Sequence, residues 1–235
     1  LTRALGGVFL VKYSIEAGLL GPEVRVLLGG LFALGLLAVG EFARRKESLS
    51  SIAPLPIANI PAILTAAGTA VAFATVYASY ALYGFLAPPV AFVLLGAVAL
   101  GTLAAALLHG PALAGLGVVG AFVTPLLVAS DKPDYWALYI YISIVTAAAF
   151  GLARIRLWRW LAVTTIAFGA FWMLVGIAEA NTLGPHAFDM IASFALAAVL
   201  VVAGFMFGPS AEQGQVEPVS SISLAVFLFG ATALV

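Results

Sequence analysis

Long apolar runs, repeated along almost the whole chain and separated by short polar joints, decide what this sequence can become. About 20 helical residues cross a hydrocarbon core near 30 Å thick. Residues 22–42, 57–83, 88–108, 111–129, 135–153, 157–178 and 185–207 each have that character. Residues 5–17 form a partial run, and a last one starts near Val219. A β-barrel would need alternating segments of roughly ten residues, whereas these runs are apolar on all sides. The reading is an all-α polytopic transmembrane bundle, with seven complete spans and two truncated ones. Composition agrees: 64% of the residues are hydrophobic and 9% charged, with mean hydropathy +1.17. A soluble fold could not bury that much apolar surface, but lipid is as apolar as the side chains themselves.

Proline marks where several runs start. Gly21-Pro22, Gly110-Pro111 and Gly184-Pro185, together with Pro88, place proline at a first helical position, where its missing N–H leaves nothing unpaired. The polar joints 43–56 and 208–218 are too short for a soluble domain, so residues 1–235 read as a single transmembrane region without one. The chain opens on Leu1-Thr2-Arg3 and closes on an apolar Ala231-Thr232-Ala233-Leu234-Val235. The expectation is a fragment of a longer chain, with the remainder of that chain as a partner.

Charge gives a direction. Lysine and arginine collect on the cytoplasmic side of a membrane protein. Crossing alternately from Arg3, one side holds Arg3, Arg44, Arg45, Lys46, Arg154, Arg156 and Arg159, and the other only Lys12, Arg25 and Lys132. The first side is therefore expected to be cytoplasmic, which puts the amino terminus of the fragment on the cytoplasmic side of a bacterial inner membrane. Tyr77, Tyr80 and Tyr83, Tyr135, Trp136 and Tyr139, and Trp158 and Trp160 read as aromatic anchors at the two interfaces. Net charge is zero and cysteine is absent. Neither a nucleic-acid-binding face nor thiolate chemistry is available. No cofactor is implied, the lipid bilayer is an expected partner, and the sequence names no other outside its own longer chain.

Four groups stand out as candidate sites. Lys12, Glu16, Glu23 and Arg25 flank the first outer turn. Lys12 and Glu16 share a helix face, and Glu23 sits where a helix dipole favours a carboxylate. They read as a self-neutralised outer polar cluster, with the wall of an outward vestibule as the functional alternative. A second outer cluster comprises Glu179, His186 and Asp189, with Asn181 beside it. Its donor types suit a divalent metal or a proton, but only one histidine is present, and a solvated loop is the expectation. Glu41, Arg44 and Arg45 have the spacing of an interfacial ion-pair clamp. The fourth candidate is a helix break at Thr124-Pro125, where proline leaves the Ala121 carbonyl without its donor. Transporters expose such carbonyls to substrate, although a nearby glycine series (Gly115, Gly117, Gly120) favours close packing. No ionisable residue is expected at mid-depth in the seven complete spans.

Several stretches resemble a known family. They are Gly6-Gly7-Val8-Phe9-Leu10-Val11-Lys12-Tyr13-Ser14-Ile15-Glu16, Gly18-Leu19-Leu20-Gly21-Pro22-Glu23-Val24-Arg25-Val26, and Gly40-Glu41 with Arg44-Arg45. The tyrosines 77 to 83 and Gly117-Val118-Val119-Gly120-Ala121-Phe122-Val123-Thr124-Pro125-Leu126-Leu127 belong with them. Together they resemble predicted bacterial membrane proteins carrying domain of unknown function 2339. The resemblance implies the amino-terminal part of that family's membrane region. It brings no activity, cofactor or catalytic residue.

Function is read accordingly. The first expectation is a transport-like or lipid-handling helical bundle. The alternative is a structural or assembly anchor without transport. Last comes a membrane enzyme acting on a lipid-linked substrate, for which no nucleophile motif, phosphate-cradling loop or metal spacing is present.

Overall fold

A computed structural model describes residues 21–49, 60–128, 134–177 and 183–207. These residues form α1 (Pro22–Leu49), α2 (Ile60–Ala81), α3 (Pro88–His109), α4 (Pro111–Leu127), α5 (Tyr135–Arg156), α6 (Arg159–Ile177) and α7 (Leu183–Phe207). Residues 5–17 and the run from Val219 lie outside the described residues. α1, α2, α3 and α5 are long and apolar enough to cross a membrane. α4, α6 and α7 are apolar over the shorter stretches Pro111–Leu127, Arg159–Val175 and Gly184–Val199. At 1.5 Å per residue, 17 residues reach about 25 Å, short of a full hydrocarbon core.

Proline placed several helix starts well: α1, α3 and α4 begin at Pro22, Pro88 and Pro111. Helix ends differ more from the reading. α1 continues past Phe42 to Leu49, because Glu41 holds the next turn. Arg44 donates to both Glu41 carboxylate oxygens, at 2.8 and 2.6 Å, and Arg45 Nε donates at 2.8 Å. Lys46 lies 4.8 Å from the centre of the Phe42 ring. α2 stops at Ala81, where Gly84 turns the chain with φ 62° and Phe85 N–H donates to the Ser79 carbonyl at 2.8 Å. α5 runs to Arg156 and is closed by Leu157 in the left-handed region, φ 54°. α7 starts two residues ahead of Pro185.

Asp134 supplies the cap of α5. Its carboxylate accepts from Trp136 N at 3.0 Å and Ala137 N at 3.2 Å. Asp134→Ala should cost about 0.5–2 kcal/mol. Faster hydrogen exchange confined to the first turn of α5 is the measurement that checks it.

The chain divides into two compact units, 1–94 and 95–235. In the first, α1 and α2 form an antiparallel hairpin. Gly29 of α1 faces Thr75, Ala33 and Leu37 face Gly68, and Gly40 faces Thr65 and Pro61, so partners descend α2 as positions rise on α1. Small residues let the backbones approach, and Thr65, Thr75 and Ser79 turn their hydroxyls back onto the carbonyls of Pro61, Val71 and Thr75. The bulky side chains point away: Leu27, Leu31, Phe32, Leu34 and Phe42 are all exposed. Small residues inside and large apolar ones outside is the arrangement lipid permits and water does not.

In the second unit α5 packs against α4, α6 and α7, and α6 also touches α4 and α7. Phe122, Tyr139, Ile142, Val145 and Leu161 are buried there. α3 meets α4 where a Cβ on Gly117 would lie 3.0 Å from the Leu103 backbone nitrogen.

Candidate functional site

Two polar features are built into the second unit. The first surrounds Pro125, in the last turn of α4. As expected, proline deprives the Ala121 carbonyl of its helical donor. That carbonyl is not open to a ligand, since Tyr141 Oη of α5 donates to it at 2.8 Å. One residue on, Trp172 Nε1 of α6 donates to the Phe122 carbonyl at 3.1 Å. Thr124 is fully buried and returns its hydroxyl to Gly120 at 2.7 Å. The Tyr141 ring sits where a Cβ on Gly96 would be 2.7 Å away, so glycine on α3 makes room for the ring. Helices α4, α5 and α6 are thus tied by side chains bonding to main-chain carbonyls. Sequence reasoning found the carbonyl and missed its donors.

The second feature lies between α5 and α7. Their first two turns are side by side. The His186 ring meets Tyr139 edge-on at 5.0 Å and Tyr135 at 6.0 Å. Trp136 lies 5.8 Å from Phe188. His186, Asp189 and Ser193 are 6%, 3% and 6% exposed, and Tyr139 is 1% exposed. The solvated loop expected for His186 and Asp189 is therefore replaced by a buried seam. Because α7 begins at Leu183, Asp189 is six residues in, about 9 Å of helical rise. Asp189 Oδ1 and Ser143 Oγ are both buried without a hydrogen-bond partner among the described residues. Tyr139, read from sequence as an interfacial anchor, is a wall of this seam. Periodicity puts Tyr139, Ser143 and Thr146 on one face of α5, and His186, Asp189 and Ser193 on one face of α7, but it does not pair the two faces.

Other candidates fall elsewhere. Glu179, Lys12 and Glu16 lie outside the described residues. Glu23 is exposed in the first turn of α1. Arg25 is half-buried, in a hollow of about 230 Å³ with Val26, Val71, Ala74, Thr75, Ala78 and Tyr83. A larger open groove of about 450 Å³ runs between α4 and α6, lined by Phe122, Val123, Leu126, Thr164, Ala167, Phe168 and Phe171. Its one hydroxyl, on Thr164, is spent on the Leu161 carbonyl at 3.0 Å, so the groove offers no polar recognition. Among the described residues, no group of three or more His, Cys, Asp and Glu side chains is placed to hold a metal ion.

Searches of curated proteins and of solved structures returned no match for this chain. A family model described as predicted membrane protein (DUF2339) matches residues 1–235. Its apolar helices, its small-residue packing and this match over its whole length agree: the chain belongs to the DUF2339 family of membrane proteins.

Proposed function

We propose that this protein is a multi-pass bundle of the bacterial inner membrane with a transport-like role, its first basic side facing the cytoplasm. One observation carries the functional part: His186 and Asp189 are buried together in an apolar helix against α5. Ionisable residues inside a membrane bundle are costly, and they mark ion and substrate paths. The side of the membrane rests on the lysine and arginine bias. The seven-span count rests on three helices, α4, α6 and α7, tilting little or ending at thinned bilayer.

The test is reconstitution of the full-length protein in liposomes. Radiolabelled amino acids and sugars, and a headgroup-labelled phospholipid, report solute and lipid movement. Flux of at least one probe, reduced tenfold or more by Asp189→Asn, is the expected result. No flux of any probe, or flux indifferent to Asp189, overturns the reading.

A scaffold role is the second reading, and the Pro125 region favours it. Both carbonyls there are held by Tyr141 and Trp172, so this helix break serves packing. Reporter-tagged full-length protein that supports growth normally with Asp189→Asn and Ser143→Ala together would favour the anchor.

A further inference from the structure

We propose that the α5–α7 seam is a binding site for one monovalent cation, with Asp189 as its charged ligand and Ser143 as a neutral one. The two helices run parallel, since the first turns of each are in contact through Tyr139 and His186 and through Trp136 and Phe188. One helical turn further along α5 from Tyr139 comes Ser143, and one turn further along α7 from His186 comes Asp189, then Ser193. The seam therefore continues inward as an oxygen-bearing stripe on both sides. Two of its oxygens, Asp189 Oδ1 and Ser143 Oγ, are buried and have no hydrogen-bond partner among the described residues. Unpaired buried polar atoms are rare in folded proteins, and a bound ion is one of the few things that explains them.

Charge sets the valence. Among the described residues Asp189 is the one carboxylate in the seam, and a single positive charge neutralises it. A divalent ion would leave an excess positive charge in an apolar bundle, and the metal-ligand group that would hold one is absent among the described residues. Among the described residues no lysine or arginine faces the seam, and His186, three positions before Asp189 on α7, is the one side chain beside it that can carry a positive charge. From α5, Tyr135 and Tyr139 face the seam, and Asp134 caps the helix outside it with its carboxylate bonded to Trp136 N and Ala137 N. α6 carries Arg159 as its one charged residue, at the end remote from the first turns of α7. α7 itself carries only His186 and Asp189. Proton and sodium ion share this chemistry: each brings one positive charge to the Asp189 carboxylate, the first as a covalent O–H and the second through several oxygens.

This deepens the transport reading and rests on it only for the use made of the cation, so binding is measured apart from flux. Melting temperature of the full-length protein in nanodiscs is followed in two series. One raises sodium chloride against choline chloride at fixed pH, and the other lowers pH in choline chloride alone. A ligand that binds only the folded state raises the melting temperature with concentration. A rise with sodium assigns the site to sodium, and a rise with acid alone assigns it to the proton; either supports the proposal if Asp189→Asn abolishes it. Ser143→Ala should raise the half-effective concentration several-fold, and Asp189→Glu should restore a response that Asp189→Asn lacks, which separates ligation from misfolding. Responses to neither cation, or ones that survive in Asp189→Asn, overturn the site. Cation binding without flux leaves the site standing and overturns the transport role instead.

Discussion

Trp172→Ala should destabilise the second unit by about 3–5 kcal/mol, the usual loss for emptying a buried aromatic site. Trp172 is 4% exposed. It meets Phe171 edge-on at 5.7 Å, and its indole nitrogen bonds to the Phe122 carbonyl. Phe122 in turn stacks on Phe168 at 5.2 Å. Lipid cannot refill the gap with water or satisfy a released carbonyl. Tyr141→Phe should cost less, about 1–3 kcal/mol, because it removes a hydroxyl and leaves the Ala121 carbonyl unpaired in a buried place. The sharper measurement is a cycle with Pro125→Ala, which returns an N–H to α4. In that background the cost of Tyr141→Phe should shrink by half or more. Unfolding in mixed detergent micelles reads all four proteins. Equal costs in the two backgrounds would mean that Tyr141 does not cover the gap left by proline.

Gly40→Leu should separate α1 from α2, at a cost of about 1–3 kcal/mol or more. A Cβ at Gly40 would come 2.6 Å from Thr65 Oγ1 and 3.2 Å from both the Pro61 carbonyl oxygen and the Thr65 nitrogen. Main-chain atoms cannot rotate aside, and the Thr65 hydroxyl is committed to Pro61 at 2.9 Å. Gly30 and Gly35 on the same helix meet nothing within 4 Å. Alanine at either should be neutral or gain about 0.5–1 kcal/mol from helix propensity. The chain has no cysteine, so an introduced pair reports cleanly. A Cβ on Gly29 lies 3.6 Å from the Thr75 Cβ, within the disulfide range. Gly29→Cys with Thr75→Cys should cross-link readily, and adding Gly40→Leu should slow the reaction several-fold. Unchanged cross-linking would place the clash elsewhere than the hairpin.

Several helix starts were legible in the sequence because proline tolerates few other places. Helix ends were less so. The turn after Phe42 is held by Glu41 with Arg44 and Arg45, a spacing that was read correctly as an ion-pair clamp but not as the extension of α1. The membrane character was legible from composition alone, whereas depth was not. Periodicity says that His186 and Asp189 share a face; it cannot say that Tyr139 covers that face, because the covering residue lies some fifty positions earlier in the chain. Tyr141 and Trp172 were invisible for a different reason. Their partners are main-chain carbonyls, which leave no trace in the amino-acid letters.

That same choice of partner shapes how the chain can vary over time. A carbonyl oxygen is present whatever residue carries it. Positions 121 and 122 are therefore free to change among residues of suitable bulk without breaking either bond, while 141 and 172 must keep a donor of the right reach. Substitutions at the two ends of each tie should drift independently, so statistical coupling between columns would overlook the bonds that join α4 to α5 and α6.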